Sequence, residues 1–275
     1  MGIKEALRQM CMDTIDATNQ NMMDGIGKLL GGVDDKLGSL ITSATDPSGA
    51  FGALQTLATS LMICLFLIRF AESAFKDKQD PDSLFKDIAW LLLFSTIILN
   101  LPGLISGFQD IASSIVTKVQ GSITSPGSYT PATQEEISDL ENKLKNKSTL
   151  ILLLDAALYA IVLPIASSIV QIIVAIAVYT VQIEIFIRTL LAPIGVAFLA
   201  EPSGFSGAGG RYIKGWVACY IQIAIMNAAF YAYQFVNTAS MGGQGTLLVS
   251  LLAGGFAVAG FCMKSASIAR EICGT

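Results

Sequence analysis

The chain alternates long apolar stretches with short charged ones, and the stretches free of Asp, Glu, Lys and Arg set its plan. Pro47–Ile68 and Ile88–Gln109 hold 22 residues each, and Ala156–Ile183 holds 28. Thr189–Ala200 holds 12, and Gly215–Met263 holds 49. A helix crossing a hydrocarbon core of about 30 Å needs about 20 apolar residues. The first two windows therefore predict one span each, and the third predicts one span with overhang or tilt. The 49-residue window is too long for one helix, and the turn at 241–245 (MGGQG) divides it into spans near 215–239 and 246–263. The 12-residue window is too short to cross alone. Pro193 lacks a backbone donor and Gly195 admits close approach, so this segment is either a kinked extension of span three or a re-entrant turn. The expected fold is an all-α integral membrane protein with about five transmembrane helices and a short kinked or re-entrant segment near 189–200.

Two regions fall outside the spans. In residues 1–45, Ile26, Leu29, Val33, Leu37 and Leu40 recur at helical spacing, with Asp24, Lys28, Asp34, Asp35 and Lys36 between them. Gly31 and Gly32 interrupt the pattern. This amphipathic segment lies on a membrane, on a partner, or on its own protein. It has no apolar stretch of the kind a signal peptide carries. The 110–150 segment reads as a turn-rich linker (GSITSPGSYTPAT) and then a short helix after Thr133, with its acids first and its bases last. Two parts are thus expected: residues 1–50, an amphipathic and external N-terminal segment, and residues 51–275, a polytopic membrane domain with an external loop at 110–150.

Composition agrees with a membrane solvent. Only 14% of residues are charged and mean hydropathy is +0.61, against about 25% charged in ordinary soluble domains. Histidine is absent, which excludes His-based acid–base catalysis and imidazole metal sites within this chain. The net charge of −4 provides no basic field for holding nucleic acid. The five cysteines form no CxxC pair. No cofactor and no enzymatic centre are expected.

The positive-inside rule orients the spans. With 189–200 not crossing separately, Lys76, Lys78 and Lys86 share a side with Arg211, Lys214, Lys264 and Arg270. The turn at 241–245, which lacks Lys and Arg, then lies opposite. This predicts an external N-terminus and a cytoplasmic C-terminus. Trp90 and Trp216 fall near the expected cytoplasmic boundaries, where belt residues sit.

Glu184 and Arg188 are the candidate functional pair. They stand at i and i+4 between apolar windows, on one helical face. Charges in such places face a bundle interior or a wet cavity. The bland alternative is mutual pairing at the cytoplasmic interface. Pro193 and Gly195 follow, and Gln222 and Asn227 are polar groups within span four that suit inter-subunit or lumen contacts. Gly103, Gly107, Gly254, Gly255 and Ala259 are small residues suited to close helix packing.

The stretch from Ile187 to Ala200 (IRTLLAPIGVAFLA), then a Gly-rich loop, then Arg211 to Trp216 (RYIKGW), resembles the TrbL/VirB-six family. These are polytopic inner-membrane subunits of type IV secretion and conjugation systems. The resemblance implies a channel or platform subunit that helps translocate DNA or protein and assemble a pilus. It implies membrane lipid, further copies of the chain, other channel and pilus subunits and partner ATPases as partners, with transient contact to translocated DNA or protein. It brings no catalytic residues. The competing class is a small membrane transporter or ion channel. That class needs polar groups converging at mid-membrane depth, whereas Glu184 and Arg188 lie near one edge.

Overall fold

A computed structural model describes residues 3–75, 81–123, 148–201, 206–240 and 247–274, and these are nearly all helical, with no strand among them. The helices are α1 (Ile3–Gly31), α2 (Val33–Ala44), α3 (Ala50–Phe75), α4 (Pro81–Leu99), α5 (Leu101–Ile123), α6 (Thr149–Ala197), α7 (Ala208–Ser240) and α8 (Leu247–Cys273). A single 3-10 turn, Phe198–Ala200, follows α6. The helix expected after Thr133, the basic residues Lys76 and Lys78 and the turn at 241–245 lie outside the described residues.

Among the described residues, four helical segments are long and apolar enough to cross a membrane: Ala50–Glu72, Tyr159–Ala200, Ala208–Tyr233 and Leu252–Cys273. Ile88–Leu99 and Leu101–Ile115 pass together but meet at a bend of 68°. Counting that pair as one span gives five. The bend follows from the sequence NLPG. Pro102 has no N–H to offer the Ile98 carbonyl four residues back. The Gln55 side chain of α3 supplies the missing donor, at 2.7 Å from that oxygen. The Asn100 side chain donates to the Thr96 carbonyl at 2.9 Å and closes the end of α4.

At 189–197 no re-entrant turn forms. Of the two forms expected there, the helix extension is the one found, since α6 runs unbroken through Pro193 for 49 residues. This is more than twice the length of about 20 residues that one crossing needs.

The helices gather into two compact units. The first comprises Met1–Gly32, Val116–Tyr179 and Ala224–Ser265. In it, α1 buries Cys11, Ile15, Met22, Ile26 and Leu30, which recur at helical spacing. Cys11 packs with Ala156, Leu7 and Tyr159. Gly25 lies against the Gln171 amide, and Gly255 faces Met22 and Val170. Of the three surfaces open to the N-terminal segment, α1 therefore uses its own protein.

The second unit comprises Val33–Ile115, Thr180–Ile223 and Ala266–Thr275. Val33, Leu37 and Ile41 of α2 are buried, as are Phe51, Ala58 and Met62 of α3. The bond from Gln55 to Ile98 joins the start of α3 to the end of α4, so the two helices form an antiparallel hairpin. The 3-10 turn packs against both.

Candidate functional site: the junction of α6 and α7

The candidate site lies in the second unit, where the end of α6 meets the start of α7. Its centre is the Glu184 carboxylate. Arg188 donates to Glu184 Oε1 from Nε at 3.0 Å and from Nη2 at 2.8 Å. Arg270 of α8 approaches the same oxygen at 3.4 Å. The i, i+4 spacing on α6 dictates the first contact. The second depends on the fold, because 86 residues separate the partners. About a quarter of the Glu184 and Arg188 side chains is exposed, against 54% for Arg270.

Three glycines let α6 and α7 approach closely. Gly195 lies under the Tyr212 ring, where any side chain would overlap it. A methyl group on Gly209 would lie 2.6 Å from the Leu199 backbone nitrogen. One on Gly215 would lie 2.6 Å from Arg188 Nη1. Small residues at such positions allow helix backbones to pack at short range. The Tyr212 hydroxyl donates to the Arg188 carbonyl. That carbonyl adjoins Thr189, whose own carbonyl Pro193 deprives of a helical donor.

Thr189 is fully buried and accepts a hydrogen bond from Trp216 Nε1 at 3.2 Å. Trp216 lies edge-on between Phe108, at 5.4 Å between ring centres, and Tyr220, at 5.3 Å. Such edge-to-face pairs add about 0.5–1.5 kcal/mol beyond burial. Trp216 is therefore a packing residue of the interior and not a belt residue facing lipid, as the boundary argument had it. Its flanking Gly215 and the hydroxyl of Thr189 draw the indole inward. Trp90 remains partly exposed and stacks on Phe94 at 5.3 Å.

The other residues named from sequence fall as follows. Pro193, Gly195 and Gln222 are buried in the same unit as Glu184. Gly103 and Gly107 face open space within the chain. In the first unit, Asn227 and Ala259 are buried, Gly254 lies against the Tyr233 ring, and Gly255 packs on Met22 and Val170. Sequence reasoning missed Arg270, Gly209, Gly215, Tyr212 and Thr189. Four of these lie in or beside the two motifs already singled out, so their clustering was the available signal.

The arrangement holds a charged group inside apolar helices by neutralising it. The Cys219 thiol, which donates to the Gly215 carbonyl at 3.2 Å, also lies against the Glu184 carboxylate, and the polar atoms of the cluster tie helix to helix. Residues 54–193, half of the chain, match the family described as TrbL/VirB6 plasmid conjugal transfer like protein. No curated protein and no solved structure matches the chain. With four to five apolar helical spans among the described residues, the chain is a multi-pass membrane protein that belongs to the TrbL/VirB6 conjugal transfer family.

Proposed function

We propose that the chain is a channel or platform subunit of a type IV secretion or conjugation apparatus, helping DNA or protein across the bacterial inner membrane and supporting pilus assembly. The observation that carries this reading is the Glu184 cluster. A carboxylate shared by two guanidinium groups sits within apolar helices, where charge is costly and marks interior or inter-subunit positions. Family membership supplies the apparatus.

In this reading the chain is a conduit or scaffold, and partner ATPases supply the energy. The subunits form a homo-oligomer, embedded in lipid and joined to other channel and pilus subunits. Pro193 and Gly195 keep the junction of α6 and α7 tight, while Gln222 and Asn227 contribute polar contacts. Gly103 and Gly107 are left for a neighbouring subunit, which matches the open space around them. The N-terminus and the 110–150 segment are external, and the C-terminus is cytoplasmic. The bend of 68° supports counting α4 and α5 as one broken span, since a turn below a right angle still carries the chain forward.

The test is removal of the chain from donor cells that otherwise carry the whole apparatus. The proposal expects loss of both substrate transfer and pili, with both restored by the intact chain. Normal transfer and normal pili without it would overturn the proposal.

A further inference from the structure

Two cations face one carboxylate at the Glu184 cluster, since Arg188 and Arg270 share a single oxygen. Arg188 spends Nε and Nη2 on that oxygen. Its third nitrogen, Nη1, lies over Gly215 of α7 and meets no acceptor among the described residues. Arg211 stands one turn before Gly215 on the same face of α7, and it is exposed. The helix register thus places a third guanidinium on the face that meets Arg188. Arg270 is 54% exposed. The other acids near by in the chain are Glu201, beyond the 3-10 turn, and Glu271, about 100° round α8 from Arg270. Among the described residues neither forms an ion pair with Arg188 or Arg211.

The position suits one source of negative charge. Arg211 stands three residues inside the start of the apolar span Ala208–Tyr233, and Arg270 three residues before the end of Leu252–Cys273. Both therefore lie where an apolar span meets lipid headgroups. On α6, Ile183, Ile187 and Leu191 form an exposed apolar strip at i, i+4 and i+8, beside Glu184 and Arg188. A phospholipid offers a phosphate to the cations and acyl chains to that strip together. Guanidinium forks bind phosphate oxygens in pairs, and basic pockets between spanning helices suit anionic headgroups. A soluble anion would use the cations alone.

We propose that Arg188, Arg211 and Arg270 bind the phosphate of an anionic phospholipid whose acyl chains lie along Ile183 and Ile187. The lipid supplies the counter-charge that Glu184 alone does not, and it does so at the edge of the apolar spans, where an unanswered cation is costly. This site needs only the membrane setting and stands apart from the role in transfer.

Native mass spectrometry of the detergent-purified full chain tests this, with phosphatidylglycerol and phosphatidylcholine offered in equal amounts. The expected result is preferential retention of phosphatidylglycerol. Arg211→Gln and Arg270→Gln should each lower that retention about fivefold. Arg270→Lys keeps the charge without the fork and should fall in between. Lys28→Gln, exposed on α1, should leave it unchanged. Arg211 lies outside the ion pairs of Glu184, so its variant keeps the test valid if Arg270→Gln fails to fold. Equal retention of the two lipids, retention indifferent to Arg211→Gln, or an equal loss with Lys28→Gln would overturn the proposal. So would displacement of phosphatidylglycerol by millimolar inorganic phosphate beyond that caused by chloride at the same ionic strength, because the site would then take the free ion.

Discussion

The carboxylate of Glu184 on α6 meets the guanidinium of Arg270 on α8 at 3.4 Å, while Arg188 holds the same oxygen at 2.8 Å. Removing Glu184 leaves two cations facing each other in an apolar setting. Breaking a fully buried pair costs about 3–5 kcal/mol. Partial exposure screens this one, so Glu184→Gln should cost about 1–3 kcal/mol. Arg270→Gln alone should cost less, because more of that side chain meets solvent. Thermal unfolding of the detergent-solubilised protein in a double-mutant cycle checks this. Purely additive effects would show that the two residues do not interact.

Gly195 and Tyr212 supply a steric test. Gly195→Ala drives a methyl group into the Tyr212 ring, and overpacking of this kind costs about 1–3 kcal/mol. Tyr212→Ala should relieve the clash, so the double variant should be more stable than the sum of the singles. Gly209→Ala meets backbone atoms instead, and no side-chain truncation should rescue it. Tyr212→Phe removes only the hydroxyl bond to the Arg188 carbonyl, at a cost of about 1 kcal/mol. Melting temperatures of the five variants distinguish these outcomes.

Gln55 and Pro102 act on one carbonyl. Gln55→Leu should orphan the Ile98 oxygen and cost about 1–3 kcal/mol. Pro102→Ala restores an N–H in register for that oxygen and should make Gln55→Leu nearly neutral. It should also reduce the 68° bend, lengthening the distance between spin labels on α4 and α5. An unchanged distance would locate the cause of the bend elsewhere.

Asp46 joins α2 to α3 outside the spans. Its carboxylate accepts bonds from the Ser48 backbone N–H at 2.9 Å and from the Ser48 hydroxyl at 2.7 Å. Those bonds hold its pKa below the ordinary value of 3.8, the side-chain bond contributing most. The folded value is the lower one. The turn's stabilisation is therefore present above pH 3.8 and is lost as pH falls through the folded pKa. The protection factor of the Ser48 amide, its exchange rate corrected for the intrinsic rate at each pH, should fall only in that acid range, and Asp46→Ala should abolish the fall.

The membrane class was legible from charge spacing alone, because a lipid core admits few charges and each span needs a minimum length. The Glu184–Arg188 contact was legible because helix geometry makes i and i+4 neighbours. Arg270 was not, since only the tertiary fold carries α8 to α6. The bend at Asn100 was written in Pro102, yet a count of charges passes over a missing backbone donor. The apolar face of residues 1–45 was visible to within one position, as Ile26, Val33 and Leu37 are buried while Leu30 and Ile41 replace Leu29 and Leu40 in the interior. Periodicity records that a face is buried and not what buries it. Trp216 shows the same limit, since its distance from a span end gave no sign of Thr189 and Phe108 around it.

The orientation of the chain is checked by cysteine accessibility in intact cells, on a background without the native cysteines. Residue 243 should label from outside and residue 208 only after the membrane is opened. Residues 78 and 128 should label from opposite sides if α4 and α5 make one broken span. Labelling of 78 and 128 from the same side would make that pair re-entrant.

Transfer frequency from donor cells carrying Glu184→Lys, compared with the intact chain at matched subunit levels, tests the central claim most directly. The account predicts that the variant accumulates in the membrane but loses transfer by about tenfold or more, because a partly exposed pairing of about 1–3 kcal/mol becomes repulsion among three cations. Undiminished transfer with Glu184→Lys would contradict it.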